Sequence, residues 1–128
     1  MATVVPAHPP DFVFWYRAKC MHVIDGDTIT VATDLGFRLS WEQRIRLYRI
    51  NTPELNDPDA RLRELAVEAR KHVIARIWDQ NVILHTFKDS KDKYGRWLAE
   101  VYYRTTDGSW TSLNQEILEK GLGTEAKY

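Results

Sequence analysis

At 128 residues the chain is sized for one domain, and it can bury roughly two-thirds of its unfolded surface without a covalent staple. Eighteen basic side chains balance eighteen acidic ones, which excludes a protein that coats nucleic acid by charge alone but not a local basic site. The single cysteine, Cys20, excludes an intramolecular disulfide.

Residues 1–11 are broken by Pro6, Pro9 and Pro10 and read as a flexible N-terminal arm. The arm has neither the basic n-region nor the apolar core of a signal peptide, and no later stretch reaches the length of a membrane span. The chain is therefore expected to be soluble, cytoplasmic unless a leader precedes it, monomeric, and without a membrane partner.

Residues 12–128 read as the folded domain. FVFWYRAKCMHVI is rich in aromatic and β-branched residues, and TITVAT continues the strand pattern after the Asp-Gly of DGDT. Residues 34–36 (Asp-Leu-Gly) are expected as a hairpin turn, with the next strand running from about 37 to 50. There Ile45 and Leu47 share one face while Arg44, Arg46 and Tyr48 share the other. The alternation slips at Arg49-Ile50, the mark of a bulge or a strand end, and bulges re-aim side chains beside active sites.

The period then changes. Leu62, Leu65, Ala66, Ala69, Val73 and Ile77 lie on one helical face, with Asp57 and Pro58 as cap and first-turn proline. Residues 81–88 and 97–103 return to strand. A second helix occupies SLNQEILEKGLG, with Ser112 and Gln115 at capping-box spacing and Gly121 placed to end it. Three strands, a helix, two strands and a helix make a mainly β, α+β domain. Its expected form is an OB-fold five-stranded barrel with two helices.

Three stretches carry side chains suited to chemistry. DGDT sets Asp25 and Asp27 about a bend relieved by Gly26, and oxygen-rich turns suit hard cations such as Ca2+. Taken alone, Asp-Gly between two strands is simply a turn. IRLYRINTPE joins Arg46 to Glu54, and alone it is an exposed basic strand ending at a proline. DSKDKYGRWLAEVYY crowds Lys91, Lys93 and Arg96 around a glycine loop, and alone it is a charged hairpin.

Taken together, VIDGDTITV, IRLYRINTPE, KDKYGRWLAEVY and SLNQEILEKGLG resemble the staphylococcal nuclease-like (thermonuclease) family, in order and spacing, from about His22 to Gly123. The resemblance implies a Ca2+-dependent phosphodiesterase that hydrolyses DNA and RNA with low sequence specificity, prefers single strands, and leaves 3′-phosphates. It implies Arg46, Glu54 and Arg96 as catalytic residues. Ca2+ would sit between Asp27, Asn51 and the backbone carbonyl of Thr52, with Asp25 behind them. Lys93 and Tyr94 match positions near a terminal phosphate.

These residue types suit the reaction. A phosphodiester is anionic, so positive charge must balance what grows on its oxygens, and arginine offers phosphate a paired fork that lysine lacks. A carboxylate such as Glu54 can orient or deprotonate water. Asn51 departs from the resembled pattern, since it keeps an oxygen ligand and loses a negative charge.

A second reading is an OB barrel that holds single-stranded nucleic acid or a protein partner without cutting. Degenerate members of the resembled family lose the equivalents of Arg46, Glu54 or Arg96, and all three are present here. His8, His22, His72 and His85 lack ligand spacing and read as surface or core residues. Trp15, Trp41, Trp78, Trp97 and Trp110 read as core or strand-face packing, with one or two able to stack bases.

Overall fold

The computed structural model describes residues 14–88 and 97–126. The expected N-terminal arm and the site candidates Lys93, Tyr94 and Arg96 lie outside the described residues. The elements are β1 Trp15–Asp25, β2 Thr28–Gly36, β3 Leu39–Leu47, β4 Ile50–Asn51, α1 Ala60–Ile77, β5 Asn81–Lys88, β6 Trp97–Arg104, β7 Trp110–Ser112, α2 Leu113–Glu119 and β8 Thr124–Glu125.

Alternation of apolar residues builds the wall. Ile29 and Val31 on β2, Ile45 and Leu47 on β3, Val82 and Leu84 on β5, and Ala99 and Val101 on β6 all point into one buried cluster. The strands run antiparallel in the order β3-β2-β1-β5-β6, and β3 then returns parallel to β6 with Leu47 opposite Ala99. That last pairing closes a five-stranded barrel of the OB type, with β7 added beside β6. A register shift between Cys20 and His22 lets Cys20 and Val23 both face the core. Burial pushes the Cys20 thiol up to about 11, so it fills the core as an inert side chain.

Against the barrel α1 buries Ala66, Ala69, Val73 and Ile77. Leu62, expected on the same stripe, is exposed one turn before the buried part begins. The cap is Asp59 rather than Asp57: its carboxylate accepts from Arg61 N at 2.9 Å. Asp57 is already engaged in the turn before the helix, accepting from Asp59 N at 2.8 Å. The second helix is capped as expected by Ser112, whose hydroxyl accepts from Gln115 N at 3.1 Å, and Gly121 ends it at φ +68°.

One further expectation shifts and another is narrowed to one of its alternatives. The hairpin between β2 and β3 turns at Phe37 and Arg38, both at positive φ, while Asp34 accepts from Gly36 N at 2.8 Å and bulges the strand before the turn. No tryptophan enters the core, since all five are at least 37% exposed. No helix among the described residues is long and apolar enough to cross a membrane.

Candidate active site

The site is built where β3 leaves the barrel wall. Arg49 takes φ +68°, a left-handed conformation that costs a non-glycine residue on the order of 1 kcal/mol and must be held by its surroundings. Its guanidinium donates to Glu100 at 3.1 Å, and Glu100 also accepts from Ser112 Oγ at 2.6 Å. The Arg49 carbonyl accepts from Ala126 N at 2.9 Å. Fully buried Asn114 donates to Tyr48 O at 2.8 Å and Ala99 O at 3.0 Å, and accepts from Val101 N at 2.9 Å. The kink so fixed sends Ile50 into the core and leaves Asn51 exposed on β4, paired with β8.

DGDT comes up beside this kink. Leu47 N donates to Asp27 O at 2.8 Å, and Thr28 stands opposite Arg46. Asp27 is nearly buried. One of its oxygens accepts from Thr28 Oγ1 at 3.0 Å and the other from Thr52 N at 3.2 Å, which ties the two loops together. A Cβ on Gly26 would lie 2.7 Å from Ala69 Cβ and 2.8 Å from Thr52 Cγ2, so a glycine is needed for the loop to close between α1 and Thr52. Arg70 on α1 adds a bond to Ile24 O at 3.2 Å.

Arg46 lies on the outer face of β3, as its alternation with Ile45 and Leu47 implied. It donates to Asn51 Oδ1 and, at 3.4 Å, to Ile50 O. Glu54 is exposed just beyond Pro53, and its backbone carbonyl accepts from Asp57 N at 3.1 Å. The structure thus brings Asp25, Asp27, Arg46, Asn51, Thr52 and Glu54 to one end of the barrel.

Burial pushes the Asp25 carboxyl up to about 7, the hydrogen bond and charge of Asp27 add to the rise, and Glu54 adds a smaller repulsion. Three acids, Asp25, Asp27 and Glu54, thus act on one another here. Thr52 Oγ1 is buried without a hydrogen-bond partner among the described residues. The groups on offer are oxygens, from carboxylate, amide and backbone, the kind that would suit a hard cation such as Ca2+ better than Zn2+. Among the described residues no three His, Cys, Asp or Glu side chains form a cage by themselves, so the fit depends on the Asn51 amide and the Thr52 carbonyl.

Sequence reasoning missed three contributors: Asn114, the Arg49–Glu100–Ser112 chain, and the approach of Ala69 to Gly26. Asn114 left one signal, a polar residue on the same helical face as Ile117. The other two join residues too far apart in sequence to leave any.

The profile of the family described as staphylococcal nuclease homologue matches residues 44–128. The chain is similar to a thermonuclease of Staphylococcus hyicus, 31% identical over 110 residues, which are 86% of this chain and 59% of that one. It is also similar to a thermonuclease of Staphylococcus intermedius, 35% identical over 80 residues, 62% of this chain and 45% of the relative. The chain spans about half the length of these relatives.

Proposed function

Because the chain belongs to the family of staphylococcal nuclease homologues, we propose that it is a Ca2+-dependent nuclease of DNA and RNA with low sequence specificity. One observation carries the reading: Asp27, Asn51 and Thr52, which offer oxygen ligands, adjoin Arg46 and Glu54 at one barrel end. Asp27, Asn51 Oδ1 and the Thr52 carbonyl would hold Ca2+, with Asp25 behind them. Bound there, the ion supplies positive charge against the phosphoryl oxygens.

The chain's own residues do the rest. Glu54 takes a proton from the attacking water as its oxygen bonds to phosphorus. The bond from phosphorus to the 5′-oxygen breaks, that oxygen takes a proton from solvent to become a hydroxyl while Glu54 returns its own to solvent, and the other fragment keeps a 3′-phosphate. Arg46 offers its guanidinium fork to the oxygens that gain charge. Arg96 joins it in this role, with Lys93 and Tyr94 holding the terminal phosphate; the sequence motif supports these three assignments. The protein acts as a monomer on single strands in preference to duplex.

The test is incubation with single-stranded DNA and RNA, in Ca2+ or in a calcium chelator, followed by analysis of the ends. The expected outcome is fragments with 3′-phosphates in Ca2+ and intact strands in chelator. Cleavage that persists in chelator, or binding without cleavage in Ca2+, overturns the reading.

A further inference from the structure

Away from the catalytic end, the outer face of the barrel carries an open groove of about 920 Å3, within the size range of ligand sites. The strand registers lay out its floor. Arg17, Ile83 and Tyr102 form one cross-strand row, Lys19 and Asn81 the next, and Arg104 pairs with Trp110 at the rim. Three aromatic rings therefore line the groove together with three cations, Arg17, Lys19 and Arg104.

The rings pack on one another along this face. Trp15 is stacked on His85 at 4.3 Å and on Tyr102 at 5.5 Å, and the contacts continue through Phe87 to Tyr48, two residues beyond Arg46. This gives a run of aromatic rings from the catalytic strand into the groove. Arg104 stands over the Trp110 ring at 6.0 Å, held by a bond to Gly108 O at 3.3 Å. Trp110 is about half exposed.

Charge favours an anion. In a chain with no net charge, Asp34 is the sole carboxylate lining the groove among the described residues, and it is engaged by Gly36 N. Lys19 is shared with Asp79 at 3.1 Å, which leaves Arg17 and Arg104 as the main cations. Aromatic faces between cations are the usual equipment for holding a single strand, because every base has a π-face and every linkage a phosphate.

We propose that this groove is a second binding surface, which holds single-stranded nucleic acid with bases against Trp110, Trp15 and Tyr102 and phosphates against Arg17 and Arg104. Its near wall, Ala32, lies four residues along β2 from Thr28, which faces Arg46, or about 13 Å. One strand can therefore reach both places. In linking the two, the inference rests on the nuclease reading, while binding in the groove stands on its own geometry.

The experiment is fluorescence anisotropy of labelled oligo-thymidylate of about 16 nucleotides, the upper end of one OB barrel's site, titrated in chelator over a series of salt concentrations. In chelator no cutting is expected, so failure of the cleavage reading and failure of this one remain distinguishable. Arg17→Glu with Arg104→Glu should weaken binding about tenfold or more and reduce the salt slope by about 1.4, the value for two lost phosphate contacts. Trp110→Ala, on an exposed edge strand, should weaken it about tenfold with the slope unchanged. Unchanged melting temperatures would assign both losses to the surface. Parent-like affinity and slope in both variants, or a parent protein that does not bind the oligonucleotide, overturns the proposal.

Discussion

At position 51 an amide oxygen accepts a hydrogen bond from Arg46, and in the proposed function the same oxygen is a Ca2+ ligand. An amide presents a dipole where a carboxylate presents a full charge, and Ca2+ affinity rises with ligand charge. Asn51→Asp is therefore expected to tighten Ca2+ about tenfold, or about 1.4 kcal/mol. The new carboxylate would also pair with Arg46 in the metal-free protein, which offsets part of its repulsion from Asp25, Asp27 and Glu54. Titration calorimetry decides the point, and equal affinity in variant and parent would remove position 51 from the metal. Arg46→Lys keeps the charge and loses the planar fork. Turnover should fall by roughly two orders of magnitude, as when one transition-state donor is lost, with a melting temperature close to the parent's. Parent-like turnover would place Arg46 outside the chemistry.

Whole elements, rather than single ligands, hold these residues in place. The DGDT loop is wedged between α1 and Thr52, and a methyl at Gly26 would meet Ala69 Cβ at 2.7 Å. Neither neighbour is the end of a long side chain that can swing away, so Gly26→Ala should cost about 1 to 3 kcal/mol and weaken Ca2+ binding as well. Stability and affinity at parent values would show that the loop has room. The two helices are clamped by Glu116, which accepts from Arg76 at 2.8 Å and from Tyr103 Oη and lies against His72. Burial would raise the Glu116 carboxyl, but the bonds from Tyr103 and Arg76 outweigh it and hold the group below its ordinary 4.5. Burial also lowers His72 below its ordinary 6.5, against the pull of Glu116. Both groups bind fewer protons folded than unfolded. Their contribution is thus complete above pH 6.5 and is lost on acidification, His72's as pH falls through its lowered value and Glu116's likewise below 4.5. Glu116→Gln should cost about 2 kcal/mol at neutral pH and progressively less toward about pH 3. Denaturant unfolding at both ends of that range measures the difference, and an equal cost at each would contradict the clamp.

Across the whole molecule, what the sequence disclosed follows from how far each signal reaches. The barrel strands were legible because Ile29 with Val31, Ile45 with Leu47 and Val82 with Leu84 alternate over enough residues to show a period. Two-residue strands such as β4 and β8 have no period to show, and they form because Ala126 and Thr124 return beside Arg49 and Asn51. The turn was misplaced because no local rule favours phenylalanine and arginine at positive φ. The tryptophans read as core or strand-face packing, and the pairing of Trp110 with Arg104 and of Trp15 with His85, both rings exposed, decides for the strand face at these two positions. The candidate site was legible as motifs, Asp27, Arg46 and Glu54 among them, while its supports, Asn114 above all, emerge only once distant strands meet. The central claim is that this barrel end cuts phosphodiesters with Glu54 as the base. Single-turnover cleavage of single-stranded DNA in Ca2+, parent against Glu54→Gln, tests it most directly. The account predicts 3′-phosphate products from the parent and a rate roughly a hundredfold lower in the variant, with equal melting temperatures. Equal rates for the two proteins would contradict it.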